Sequence, residues 1–361
     1  MIGLPQHNMF KSVEDRIHER PMFFNPYAFG SSIVGGWKEL GRTTFGGGAK
    51  EYSVASLDDK RYYMILVNNL QSAQTEGDAF RLNSDSGSNF SYRHSTDGAA
   101  DTTGTSKSKA GFFGFHPHTQ PSFAVSYLSN LSTKEKLSIS HGVGHKTNVS
   151  GAGNAPDRGE AIQKWANTSN AVDEVNIVNL WNNYDSGSEC VVLGWDPADT
   201  HTTNFWEQLA DVTGGASSNI SSGTITAKKY LWVQFWYDRA ATFNVSGQFN
   251  NDTASNYSSR FSDNGGADGT QTSASSFIVD AGGASGKPNF HNMFIINNSA
   301  NEKLLIHNNM QANSAGATNA PTRREGVSKW ANTSAQITEI DFNTSASSFV
   351  SGARLKVWGS D

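Results

Sequence analysis

Short stretches of alternating apolar and polar residues recur along this chain. In Tyr230-Leu231-Trp232-Val233-Gln234-Phe235, the side chains of Leu231, Val233 and Phe235 share one face and Gln234 lies on the other. Tyr63, Ile65 and Val67 repeat the pattern, as do Val175-Asn176-Ile177 and Ile340-Asp341-Phe342. Cys190-Val191-Val192-Leu193 and Leu355-Lys356-Val357-Trp358 read as closing strands. Period-2 runs of β-branched and aromatic residues, bounded by Gly, Ser, Asn and Asp, predict short strands at near-regular spacing, the pattern of a sandwich or barrel.

The hexapeptide Lys164-Trp165-Ala166-Asn167-Thr168-Ser169 returns unchanged as Lys329-Trp330-Ala331-Asn332-Thr333-Ser334. Sliding the chain on itself by about 165 to 169 residues keeps a whole series of matches in order. Trp37 meets Trp206, Lys60-Arg61-Tyr62 meets Lys228-Lys229-Tyr230, and Asn89-Phe90-Ser91 meets Asn256-Tyr257-Ser258. Glu135-Lys136-Leu137 meets Glu302-Lys303-Leu304; Arg158 and Glu160 meet Arg323 and Glu325; Ser186-Gly187 meets Ser351-Gly352. The expected organisation is two tandem β-sandwich copies, jelly-roll-like, over 37–198 and 206–361. A linker at 199–205 joins them, and an unduplicated arm, 1–36, precedes them. Each copy is long enough for its own core.

Composition narrows the function. Charged residues are 17% of the 361, aromatics 11%, and Gly numbers 35, with net charge -5. Aromatic content argues against disorder, and abundant Gly, Ser, Thr and Asn argue against long helices. The sequence lacks a clustered basic patch, so nucleic acid is not an expected partner. The first residues lack a signal-peptide core and no stretch approaches a membrane span, so a soluble chain with no membrane partner is expected. One cysteine, Cys190, excludes an internal disulfide and aligns with Leu355, which makes it a small buried hydrophobe.

The ordered set of motifs resembles a family of β-rich virion structural proteins of tailed bacteriophages, common in marine phages, whose members are tail or capsid-surface proteins. The set comprises Trp37-Lys38-Glu39-Leu40, the basic-Tyr entry to an apolar strand, the Asn-rich Asn89-Phe90-Ser91 segment, the Trp165-Ala166-Asn167-Thr168 turn, and the Ser186-Gly187 lead into a last strand. It occurs twice. The resemblance implies a virion location and a structural, non-enzymatic role as tail fibre, spike or capsid decoration. Repetition in a particle implies a homo-oligomer. Two rival expectations are a double jelly-roll capsid shell protein and a glycan-binding module on the host-contacting tip.

Candidate chemistry is sparse. No GxSxG, HExxH or P-loop occurs, so no catalytic residue, metal site or cofactor is expected. His141 and His145, and His116 and His118, are read as solvated loop histidines, because Asn308 replaces His141 in the second copy. Asp85 and Asp252 align in Asn-rich loops and are read as turn formers. Arg158, Glu160 and Lys164 fall on one strand face as a surface charge ladder, with Trp165 on the other. Trp165 and Trp330 are read as anchors under a turn, the glycan reading making them stacking platforms instead. In the arm, Phe10, Val13 and Ile17 form one stripe of a short helix that Pro21 stops; Phe23, Phe24, Tyr27 and Phe29 follow. That much aromatic surface on so short a segment must pack on the first domain or on another subunit; given the virion role that the resemblance implies, docking on other virion proteins is the expectation.

Overall fold

The computed structural model describes residues 36–70, 78–111, 120–145, 149–179, 182–201, 203–280, 285–313 and 316–361. The arm residues Phe10 to Phe29, and His116 and His118, lie outside the described residues. The described residues form 23 strands and no helix. The first copy contributes β1 (Lys38–Thr44), β2 (Glu51–Ala55), β3 (Tyr62–Asn69), β4 (Ala79–Leu82), β5 (Phe90–Thr96), β6 (Thr102–Lys107), β7 (Ser122–Ser129), β8 (Lys136–His145), β9 (Pro156–Trp165), β10 (Glu174–Val178) and β11 (Glu189–Trp195). The second contributes β12 (Glu207–Thr213), β13 (Asn219–Ser221), β14 (Tyr230–Tyr237), β15 (Val245–Phe249), β16 (Tyr257–Asp263), β17 (Gly269–Ala274), β18 (Phe277–Asp280), β19 (Asn289–Ile296), β20 (Lys303–Gln311), β21 (Thr322–Trp330), β22 (Ile340–Thr344) and β23 (Arg354–Ser360).

All the pairings are antiparallel. An eight-stranded sheet, β1-β11-β3-β7-β8-β9-β5-β6, faces the three-stranded β2-β10-β4. The second copy repeats this as β12-β23-β14-β19-β20-β21-β16-β17 facing β13-β22-β15-β18. Even the irregularities are duplicated. The first strand of each copy slips register at matching positions, Glu39/Gly41 and Gln208/Ala210. The bulged leucines, Leu40 and Leu209, lie over the matched glycines Gly194 and Gly359; a Cβ at Gly359 would sit 2.7 Å from Leu209 Cδ1.

Each sandwich closes on the alternating faces that the sequence pattern predicts. Tyr63, Ile65 and Val67 meet Tyr52, Val175 and Ile177 across the first core, and Cys190 packs among them as a buried free thiol. Leu231, Val233 and Phe235 meet Phe249, Ile340 and Phe342 across the second. The opposite faces of β3 and β11 are also buried, as are Tyr230 and Trp232 of β14 and Trp358 of β23. Met64, Leu66, Val191 and Leu193 of the first copy form a third apolar cluster with Trp206, Trp232, Phe294 and Trp358 of the second. The two large sheets pack against each other, and the molecule is a stack of four β layers. Residues 199–205, expected as a linker, join β11 to β12 with Phe205 buried in this third cluster; its N–H donates to the Trp37 carbonyl at 2.8 Å.

Candidate functional site: the seam between the copies

The third cluster makes the seam, and ion pairs between the copies frame it. The Asp268 carboxylate is buried and receives a two-pronged contact from Arg158 of the first copy, at 2.7 and 3.3 Å. Arg260 donates to the Pro156 carbonyl at 2.8 Å and lies 3.1 Å from Asp97. Glu189 of the first copy accepts from Tyr230 Oη at 2.8 Å and Lys229 Nζ at 2.9 Å. Burial would raise the Glu189 carboxyl; hydrogen bonds from Thr44, Lys229 and Tyr230 outweigh it and hold it below the usual range.

Glu302 is a further buried node. His145 donates from Nε2 to its carboxylate at 2.6 Å and from Nδ1 to the Pro121 carbonyl at 2.9 Å. Lys329 lies 3.2 Å away, and the Gly151 N–H also donates to Glu302. Burial pushes this carboxyl up, but the His145 hydrogen bond, the Lys329 charge and the Gly151 amide bring it down to about 2.

Two sequence expectations are corrected here. His141 and His145 are strand residues of β8, and His145 is buried rather than solvated. Positions i and i+4 of a strand share a face, and that face of β8 carries His145 into the seam. Arg158, Glu160 and Lys164 do share a face of β9, but Arg158 is buried between the copies rather than part of a surface ladder. The seam brings Glu160 together with its duplicate Glu325 beside Arg158, around a small cavity that His141 also lines. Burial, and then the Glu160 charge, push the Glu325 carboxyl up. Arg323 stays exposed, 3.0 Å from Glu325.

The other signature residues are structural. Trp37 and Trp206 are buried in the seam rather than in either sandwich core. Trp165 and Trp330 are buried under their turns. Each indole N–H donates to a loop carboxylate, Trp165 to Asp85 at 2.6 Å and Trp330 to Asp252 at 2.7 Å. Asn167 and Asn332 each accept two backbone N–H bonds at 2.9 Å, closing the turn that the repeated hexapeptide encodes. Lys136 and Lys303 lie over the two rings at 5.3 and 5.6 Å. Neither indole has a face open for a sugar to stack on. Among the described residues, no group of three or more His, Cys, Asp or Glu side chains could hold a metal ion.

No protein-family model matches this chain, and no curated protein matches it. Among solved structures, it is similar to domains LG4-5 of the mouse laminin α1 chain, with 8% identity, 92% of each chain covered and a TM-score of 0.16. It is also similar to Pseudomonas aeruginosa OpdQ, with 7% identity, 82% of this chain and 96% of that one covered, and a TM-score of 0.12. At these scores neither likeness bears on fold or function.

Trp165→Phe separates the ring from its polar handle. The stack on Phe90, with centroids 6.2 Å apart, is kept, and the bond to Asp85 is lost. A hydrogen bond to a charged acceptor is worth about 1.5–3 kcal/mol, so the urea midpoint should fall accordingly. Trp330→Phe should match it. An unchanged midpoint in both would show that the carboxylate contributes nothing.

Proposed function

We propose that this protein is a non-enzymatic structural component of a phage particle, surface-exposed as a tail fibre, spike or capsid decoration. In this reading it attaches to other virion proteins through residues 1–36 and assembles with copies of itself. The observation that carries it is the seam. Two sandwiches are joined by a continuous apolar layer, and the buried charges at its edge are committed to fixed ion pairs. Such a block suits a mechanical role, because its parts are held rather than poised to react. The ordered sequence motifs, which resemble virion structural proteins, support the same reading.

The test is mass spectrometry of purified particles, followed by the same measurement with Phe23, Phe24, Tyr27 and Phe29 all changed to Ser in the full chain. The protein is expected at a fixed copy number in the unaltered particle, and its loss is expected from particles made with the altered arm. A chain found only in the soluble fraction of infected cells would overturn the structural role. Normal incorporation of the altered chain would overturn attachment through the arm.

A further inference from the structure

The seam uses unlike halves of two duplicated faces. In the second copy, a row runs across the large sheet in register, Trp232–Phe294–Ile306–Val327–Arg260. Its apolar members and the adjacent Leu304 are covered by the first copy: Phe294 is 5% exposed, Leu304 0%, Ile306 4% and Val327 1%. The first copy carries the same row in the same register, Met64–Tyr127–Ile139–Ile162–Arg93. There Tyr127 is 37% exposed, Leu137 55%, Ile139 54% and Ile162 54%. The row continues directly from the seam, with the Trp37 ring 6.5 Å from that of Tyr127.

The converse holds for the face that does the covering. Asn68, Phe123 and Val143 of the first copy pair across β3, β7 and β8 and are buried. Their duplicates Trp236, Phe290 and Met310 pair identically across β14, β19 and β20, and Trp236 and Met310 are exposed. One matched pair of surfaces is therefore joined within the chain, and the other matched pair is left open.

We propose that the row Tyr127, Leu137, Ile139 and Ile162 is a self-association surface whose occupant is a second copy of this chain, presenting its Trp236–Phe290–Met310 face. This deepens the structural role argued above and rests on it. The polar frame supports this pairing. Within the chain, Arg158 grips Asp268; the duplicates of these two are Arg323 and Asp101, both exposed and of opposite charge. Arg260 lies beside Asp97 in the seam, and their duplicates, Arg93 and Asn264, are again a cationic donor and a side chain with an acceptor oxygen. One corner is not reproduced. Arg354 stands where the first copy has Glu189, and it is held by Asp211 at 2.9 and 3.0 Å. A contact between unlike faces can close into a ring or continue as a filament.

Sedimentation velocity of the purified full chain tests this. The unaltered protein is expected to associate reversibly. Ile139→Asp with Ile162→Asp, and separately Trp236→Ser with Met310→Asp, should each weaken association by at least about tenfold. Circular dichroism shows whether each variant is folded, and Ile139→Thr with Ile162→Thr provides a milder, strand-compatible pair. Mixing the two single-face variants should restore dimers, because each retains the face the other has lost. A monomeric unaltered chain would overturn the proposal and leave the row to residues 1–35 or to another protein. Association unaffected by the row variants, or a mixture that stays monomeric, would also overturn it. Absence of the protein from particles, with self-association intact, would instead overturn only the structural role.

Discussion

Replacing Glu302 with Ala is expected to lower stability by about 3–5 kcal/mol, because removing one partner of a buried ion pair leaves the others buried and uncompensated. Here His145 and Lys329 would both lose their carboxylate, and they belong to different copies. The duplicate site supplies the control. Glu135 and Lys164, the same two residues one repeat earlier, form a 3.0 Å pair with both side chains more than two-fifths exposed. Glu135→Ala should cost about 0–1 kcal/mol, as exposed pairs do. Urea denaturation of both variants decides the matter, and equal losses would show that the seam does not bury this node as described. The Glu302 contribution also depends on pH. Its carboxyl is depressed to about 2, so its stabilisation is complete above the ordinary carboxylate pKa and is lost as pH falls from about 4.5 towards 2.

Acid sensitivity should begin well above that window, owing to a pair of histidines in the second core. His291 and His307 are buried with ring centroids 5.4 Å apart, against Phe342 and Phe277. Among the described residues, His291 has no hydrogen-bond partner at either nitrogen, and His307 has one, Ser328, 3.0 Å from Nε2. Burial lowers His291 to about 3 and His307 well below its ordinary value, the latter helped by the His291 and Arg324 charges. Both are therefore neutral when folded. Once pH drops below about 6.5, the unfolded chain takes up protons that the folded chain refuses, and stability falls with pH. At pH 4.5 the loss from His291 alone is on the order of 2–3 kcal/mol; His307 adds to it in the same direction. The matching positions of the first copy are Ala124 and Ser140. His291→Ala with His307→Ser transplants those residues. The double variant should flatten the dependence of unfolding free energy on pH between 6.5 and 4.5, whatever its cost at neutral pH. A slope unchanged from the parent would mean that these rings are not the groups that titrate.

Much of the architecture is legible in the sequence because strand periodicity is local and the duplication gives every match a second witness. The third apolar layer is legible only in hindsight. Tyr63-Met64-Ile65-Leu66-Val67 and Cys190-Val191-Val192-Leu193 do not alternate, and an unbroken apolar run marks a strand covered on both faces. Reading only the inward set, Tyr63, Ile65 and Val67, leaves Met64 and Leu66 without a destination. The partners of Asp85 and Asp252 are hidden for a different reason. Each loop carboxylate meets a Trp far along the chain, and nothing in the local pattern signals the acceptor. His145 reads as a loop residue because it stands between Gly144 and the polar run Lys146-Thr147-Asn148, although β8 extends to include it. The unequal use of the duplicated rows is beyond local sequence altogether. Ile139 and Ile306, or Ile162 and Val327, are the same kind of residue at the same kind of position, and only packing distinguishes them.

The seam also has a consequence during synthesis. Met64, Leu66, Phe123 and Val125 emerge from the ribosome before any of residues 206–361 exist to shield them. At translation speeds of about 5–20 residues per second, completing the second copy takes roughly 10–30 seconds. Through that interval each nascent chain presents a sticky sheet to its neighbours on the same message. Crowded polysomes would then favour first halves pairing with the wrong second halves, and slow stretches of the message late in the chain would aggravate it.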